Sequence, residues 1–279
     1  MSGNPAQFHA VLALTKRELI RFLRQRTRVI GAAGQPVIFW ILFGAGLQSS
    51  FKAPSWADGL PHMVTYQEYF LPGVAALIVL FTAIFSTISI IEDRREGFLQ
   101  GILVAPVSRL SIVLSKLAAG TLLAMFQAVL FLMIGPLISA FGLGTPVEVT
   151  WSFMRILMAT GFLMLIAAEL TALGFIIAWP MNSTQGFHAV MSIFLMPMWL
   201  VSGAFFPGGD SGWLSWIIRV NPLTYGVAGL RRLLYREALP VTVELPSMHV
   251  CVLATVIATA SLTLLSAWLV SRQSVHNVT

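Results

Sequence analysis

Residues 69–91 read YFLPGVAALIVLFTAIFSTISII, and residues 92–109 read EDRREGFLQGILVAPVSR. The first run carries no charged side chain and is long enough to cross a membrane, since about 20 apolar residues span a ~30 Å hydrocarbon core. The second run opens on a dense charge cluster, continues as a short amphipathic stretch and stops at Pro106. Working outward from this pair, comparable apolar runs occupy 29–51, 117–141, 151–178, 189–206 and 247–270. The whole chain fits that pattern: 57% of its residues are hydrophobic, 10% are charged and mean hydropathy is +0.83. A soluble domain carries about 25% charged residues. The expected fold class is therefore an all-α integral membrane protein with six transmembrane helices, forming a single domain over residues 1–279 with no separate soluble part.

The charges predict a topology. Lys16, Arg17, Arg21, Arg24, Arg26 and Arg28 precede the first span, and Arg94, Arg95, Arg109 and Lys116 follow the second. Arg272 follows the sixth. By the positive-inside rule these segments face the cytoplasm, with both chain ends inside the plasma (inner) membrane. Net charge is +6, but a basic block beside a hydrophobic span points to anionic lipid rather than nucleic acid. Residues 6–28 place Phe8, Val11, Leu12, Leu19, Phe22 and Leu23 at helical spacing, predicting an interfacial amphipathic helix; a solvated basic tail is the alternative. The first span is expected to remain as an anchor rather than be cleaved.

The segment 207–246 breaks the charge rule, because it should be external yet holds Arg219, Arg231, Arg232 and Arg236. Its apolar stretches flank Asn221-Pro222-Leu223-Thr224-Tyr225 and are too interrupted to span. They predict short re-entrant helices over 207–239 in the outer leaflet, with the arginines, like Arg155, snorkelling outward. A seventh crossing at 223–239 is the alternative. Pro197 lies inside the fifth run and must free a carbonyl. Trp151 and Trp179 bracket the fourth run as interfacial aromatics do.

Several chemistries find no support in the residues. No phosphate-binding loop of the form G-x-x-x-x-G-K-[ST] is present, so ATP, if used, binds another polypeptide. His9, His62, His188, His249 and His276 lack metal-ligand spacing, and no metal site is expected. Gly209-Asp210-Ser211-Gly212 resembles a serine-nucleophile motif but reads as a turn. Asn182-Ser183-Thr184 and Asn277-Val278-Thr279 match the glycosylation pattern on the side expected to be internal. The lone Cys251 can form no internal disulfide. Glu169 lies about 15 Å deep by helical rise. An acid there either marks a translocation path or a proton site, or is a neutral carboxyl hydrogen-bonded to another span, with Gln127 a possible partner.

Over 92–106, Phe98, Leu99, Ile102 and Leu103 form one apolar face. Glu92, Asp93 and Glu96 stand at the start, where a helix dipole favours acids. Such a rod can seat its apolar face in a cleft and anchor its charges at the rim; an interfacial helix touching only lipid is the plainer reading. Three passages resemble the type-2 ABC transporter permease family of drug-resistance and nodulation-type exporters. They are Glu92-x-x-Arg95-Glu96-Gly97 through Leu103 to Pro106-Val107-Ser108-Arg109, then Leu200-Val201-Ser202-Gly203-Ala204-Phe205-Phe206-Pro207, and Asn221-Pro222-Leu223-Thr224-Tyr225. Their order and the six-span layout match along nearly the whole chain. The resemblance implies a permease without catalytic residues or a cofactor of its own, paired with a second permease copy as a dimer, with ATP and Mg held by separate ATP-binding-cassette subunits. It makes 92–106 the coupling helix, with Glu92, Arg94, Arg95, Glu96, Gly97, Phe98, Leu99, Leu103 and Pro106 its contact residues. It implies export of an amphiphilic drug, lipid or related molecule. A proton-coupled carrier using Glu169 and a polysaccharide or lipid-linked glycan exporter are the alternatives.

Overall fold

A computed structural model of the chain describes residues 5–54, 57, 63–142, 147, 149, 152–205, 212–235 and 245–272. These residues form helices and no strand. In chain order they are α1 (Pro5–Arg24), α2 (Arg26–Gly46), α3 (Tyr66–Arg95), α4 (Phe98–Val104), α5 (Arg109–Ala140), α6 (Phe153–Ala178), α7 (Thr184–Val190), α8 (Met196–Trp199), α9 (Gly212–Val220), α10 (Pro222–Leu234) and α11 (Met248–Arg272). Six helical segments are long and apolar enough to cross a membrane: α2, α3, α5, α6, the joined segment Thr184–Ala204, and α11.

The second span is the centre of the bundle. From Tyr66 to Leu80 every side chain of α3 is buried, which explains why residues 69–91 are apolar all round instead of showing a stripe. α2, α5 and α6 surround it. Gly73 permits a close approach of two backbones: a Cβ there would lie 2.6 Å from the Ala204 carbonyl oxygen at the end of the fifth span. By contrast α2 buries only Ala32, Pro36, Trp40 and Gly44, a narrow stripe at four-residue spacing. α11 buries only Cys251, Thr255, Ser266 and Val270. Most of the remaining surface of both helices is apolar, as a lipid-facing helix requires, with the charged residues near their ends.

Several boundaries differ from the sequence reading, each for a local reason. The expected helix 6–28 ends at Arg24. Gln25 takes a non-helical backbone (φ −88°, ψ 75°), so Arg26 and Arg28 join the first turn of α2. The second span runs on to Arg95 and absorbs the charge cluster, leaving α4 only seven residues long. Gly97, at φ 76°, makes the turn between them. That left-handed conformation costs a side-chain-bearing residue about 1–2 kcal/mol. α5 begins at Arg109, ahead of residue 117. In the fifth span a π-helical turn at Met191–Leu195 widens the backbone around residue 193, whose carbonyl Pro197 cannot meet. A second π turn ends the span at Leu200–Ala204.

Within 207–239, the described residues 212–235 form α9 and α10, both far short of a crossing. Asn221 caps α10 by accepting from the Leu223 amide at 3.1 Å, and Pro222 starts the helix, where its missing N–H costs nothing. Arg236, Trp151, His62, His276, residues 209–211 of the Gly-Asp-Ser-Gly string and Asn277-Val278-Thr279 lie outside the described residues.

Candidate functional site

At one end of the bundle, α1, α3, α4 and α5 meet in a layer of charge. Asp93, in the last turns of α3, is fully buried. It accepts from Arg17 at 2.8 and 3.3 Å, and also from Arg21 and Lys116. Lys116, on α5, also bonds Glu18 at 2.9 Å and Ser89 at 3.0 Å. Arg21 reaches Glu92 at 3.1 Å and Glu96 at 2.9 Å, while Arg28 pairs with Glu92. Four carboxylates (Glu18, Glu92, Asp93, Glu96) thus face four cations (Arg17, Arg21, Arg28, Lys116).

This arrangement reverses one expectation. The acids stand at the C-terminal end of α3, where the helix dipole disfavours them, not at the start of a new helix. Cations from three other helices compensate, and they tie those helices to α3. A buried network of this kind gains little over apolar packing while intact, but removing one partner costs about 3–5 kcal/mol.

α1 is consequently a strap across this end. Its far turn holds the segment after α4: Gln7 donates to the Pro106 carbonyl at 3.4 Å and accepts from the Ser108 amide at 2.8 Å. Midway, Thr15 donates to the Ser115 carbonyl at 3.4 Å. Arg17 lies 3.6 Å above the Phe98 ring, a cation–π contact with α4. Leu99 is buried inside this chain. Of the apolar face of α4, Leu99 packs inside this chain and Phe98, Ile102 and Leu103 stay half-exposed, so Leu99, expected as a contact residue for a partner, is already covered. Arg95, Glu96, Gly97, Gly101, Val104 and Pro106 are the exposed residues of the segment, and Leu103 is half-buried.

Two further arginines of residues 92–109 tie down helix ends. Arg94 donates to the carbonyls of Trp179 and Met181, the latter at 2.7 Å, and to Asn182 Oδ1 at 3.0 Å. It closes the C-terminus of α6. Trp179 stacks on Phe175 and is buried, not interfacial. Arg109 donates to the Val270 and Ser271 carbonyls at 3.1 and 3.0 Å, closing α11. The C-terminal turn of α11 thus shares this end with α1.

The opposite end is built differently. Tyr69 Oη donates to the Gly203 carbonyl at 2.8 Å, Trp199 Nε1 to the Gly73 carbonyl at 2.8 Å, and Tyr235 Oη to the Glu68 carbonyl at 2.9 Å. The last bond has a clear origin. Pro72 has no N–H to offer Glu68, four residues earlier, and Tyr235 supplies the missing donor. Asn221 Nδ2 donates to the Met198 carbonyl at 2.6 Å, and Tyr225 Oη to the Arg219 carbonyl at 2.8 Å. Arg231 is buried; it donates to the Tyr69 and Gly203 carbonyls and lies 4.3 Å from the Tyr69 ring centre. Arg232 holds the Leu245 and Pro246 carbonyls, and Arg155 holds that of Tyr235. Arg155, Arg231 and Arg232 therefore bind backbone rather than snorkel; Arg219 is exposed.

Glu169 and Gln127 are not brought together. Gln127 accepts from Thr82 at 2.8 Å. Glu169 is 1% exposed, and neither carboxylate oxygen has a hydrogen-bond partner among the described residues. No cluster of three or more metal-ligating side chains occurs among those residues. Gln7, Glu18, Asp93 and Lys116 were not singled out as site residues by sequence. Their one signal is acidic residues at the end of a span in an otherwise basic region.

The model of the ABC-2 type transporter family matches residues 9–235. A proposed transport permease, ycf38, of Cyanophora paradoxa is 29% identical over 223 residues, covering 79% of this chain and 72% of that protein. Proteins of the same name from Pyropia yezoensis and Porphyra purpurea are 27% and 24% identical over 80% and 78% of this chain, covering 73% and 72% of those proteins.

Proposed function

From the premise that this chain belongs to the ABC-2 type transporter family and is a membrane transport permease, we propose that it is the membrane half of an exporter powered by a separate ATP-binding-cassette subunit. The observation that carries the reading is the α3–α4 corner: Arg95 and Glu96 at the end of α3 and Gly101 and Val104 on α4 are exposed, while Leu99 is buried against the bundle. The ATPase contact lies on that exposed corner, at the cytoplasmic surface. Glu92, Arg94 and Leu99 act inside the chain, passing displacement of α4 to the spans.

The sequence of events follows from the connections. A push on α4 moves Phe98 against Arg17, and Arg17 and Arg21 share Asp93 with Lys116. α1, α3 and α5 therefore receive the displacement together, while Arg94 and Arg109 hand it to α6 and α11. ATP and Mg stay on the partner, and this chain supplies no catalytic group to hydrolysis. The partner's nucleotide state shifts the permease only by its differential affinity for inward- and outward-open forms. The cargo is an amphiphile such as a drug or lipid, moved by a pair of permease copies in the plasma membrane with both chain ends cytoplasmic.

Affinity purification of the full chain from native membranes tests the reading. An ATP-binding protein is expected to follow the wild type. Glu96→Lys is expected to insert normally and to uncouple ATP hydrolysis from transport. Normal coupled transport by a well-expressed Glu96→Lys chain would overturn the docking site. Transport by the purified chain alone would overturn the motor.

A second reading has its own observation, the unpartnered carboxylate of Glu169. A proton-coupled carrier would transport after reconstitution alone, would depend on a pH gradient, and would lose that dependence in Glu169→Gln.

A further inference from the structure

The bundle surface carries a long apolar groove between α2 and α5, closed at the charged end by Leu23 of α1. It has a volume of about 220 Å³, and Val29, Ala33, Val37, Phe126, Leu130 and Ile138 are among its walls. From Val29 to Val37 it follows α2 for roughly 12 Å at 1.5 Å per residue. That is most of one leaflet's ~15 Å share of the hydrocarbon core. The surface around it is equally apolar, with Ile30, Ile38, Leu122 and Leu137 exposed. The groove therefore opens sideways into the bilayer.

Two polar features interrupt it. The first is Gln127, midway along α5. Its side-chain oxygen accepts from Thr82, and its amide N–H groups have no acceptor among the described residues. The second is at the mouth. Of the five arginines between residues 17 and 28, Arg17, Arg21 and Arg28 are held by carboxylates. Arg24 and Arg26 are exposed, form no ion pair among the described residues, and lie between Leu23 and Val29 in sequence. The groove thus has, at its charged end, the lining residues Leu23 and Val29 with Arg24 and Arg26 in the chain between them, an amide donor about one helical turn beyond Leu123, and an apolar floor.

That order of chemistry fits one class of molecule. A glycerophospholipid places a phosphate, then an ester carbonyl about one helical turn deeper (~6 Å), then an acyl chain. We propose that this groove binds one anionic diacyl phospholipid, with its phosphate at Arg24 and Arg26, an ester carbonyl at the Gln127 amide and an acyl chain along Val37 and Leu130. The proposal rests on the chain's place in a membrane and is independent of ATP coupling. Charge complementarity at the mouth selects the lipid over a second copy of the chain, whose own first-span mouth would bring further arginines to the same place.

The experiment is native mass spectrometry of the purified full chain, loaded with dioleoylphosphatidylglycerol or dioleoylphosphatidylcholine. The wild type is expected to retain the anionic lipid over the zwitterionic one by roughly thirtyfold, the value of two arginines near a membrane surface. Arg24→Gln with Arg26→Gln is expected to bring that ratio close to one, chiefly by lowering phosphatidylglycerol retention. Ala33→Phe fills the floor and is expected to reduce retention of both lipids. The thermal unfolding midpoint of each variant separates loss of lipid from loss of fold. A variant that unfolds early is replaced by Arg24→Gln alone, expected to halve the effect in free-energy terms. Absence of headgroup preference in the wild type would overturn the proposal, as would an unchanged ratio in the double variant. So would Ala33→Phe converting dimers to monomers with lipid retention intact, which assigns the groove to a second copy.

Discussion

The two ends of the bundle are held by different chemistry. At the charged end, the central layer is built of side chains binding side chains, although Arg94 and Arg109 also hold carbonyls: Asp93 is shared by Arg17, Arg21 and Lys116, and Arg21 reaches Glu92, Asp93 and Glu96. At the aromatic end, side chains bind backbone: Tyr69, Trp199, Tyr235, Asn221 and Arg231 all donate to main-chain carbonyls. Ion pairs between long side chains can change partners while the helices shift by an ångström or two. A phenol or indole fixed on a carbonyl holds one stretch of backbone in one place. The comparison assigns movement to the charged end and anchorage to the aromatic end. That is the polarity expected if force enters through α4.

The largest expected effect breaks the charged end. Asp93→Ala removes the buried carboxylate that Arg17, Arg21 and Lys116 share and is expected to cost about 3–5 kcal/mol, read as a lower unfolding midpoint in detergent. Pairing it with Lys116→Met is expected to recover part of that loss; a purely additive double variant would dissolve the network as a unit. Next, Gly97→Ala is expected to cost about 1–2 kcal/mol, because the turn needs a positive φ. It is also expected to lower ATP-coupled transport more than its stability cost explains, since it re-aims α4.

At the aromatic end, Tyr235→Phe removes the donor that replaces the N–H missing at Pro72. A cost of about 1 kcal/mol is expected, with transport retained. A Tyr235→Phe chain that is stable yet inactive would erase the distinction between the ends. The smallest effect tests a residue at neither end: Glu169→Gln keeps the side chain's shape and removes no hydrogen bond, so a stability change below about 1 kcal/mol is expected. A larger loss would show that the acid has a role the described contacts do not contain.

Much of this molecule was legible in sequence. Uninterrupted apolar runs announce membrane helices because a bilayer offers no partner to an exposed backbone polar group, and length alone then separates spans from α9 and α10. The order of the Glu-Gly-Leu-Pro, Ser-Gly-Phe-Pro and Asn-Pro-Leu-Thr-Tyr passages pointed to the family. Short helices at 212–235 in place of a span were expected because the apolar stretches there are too short to cross. Arg231 and Arg232 differ from the expectation, since an arginine near an apolar helix looks the same whether it reaches for water or for a carbonyl. The charge cluster was misassigned to the start of α4 because acids at a helix start satisfy the dipole, and nothing local shows that α3 continues to Arg95.

The sequence by itself determined that the chain spans a membrane six times, where its positive charge concentrates, and that it carries no phosphate loop for ATP. Only the tertiary structure decided which charges meet. Arg17 and Asp93 lie 76 residues apart, and Gln7 and Ser108 101 apart. Hydropathy is a sum over neighbours along the chain, so it can be read locally. An ion pair depends on a distance that exists only once the helices have packed.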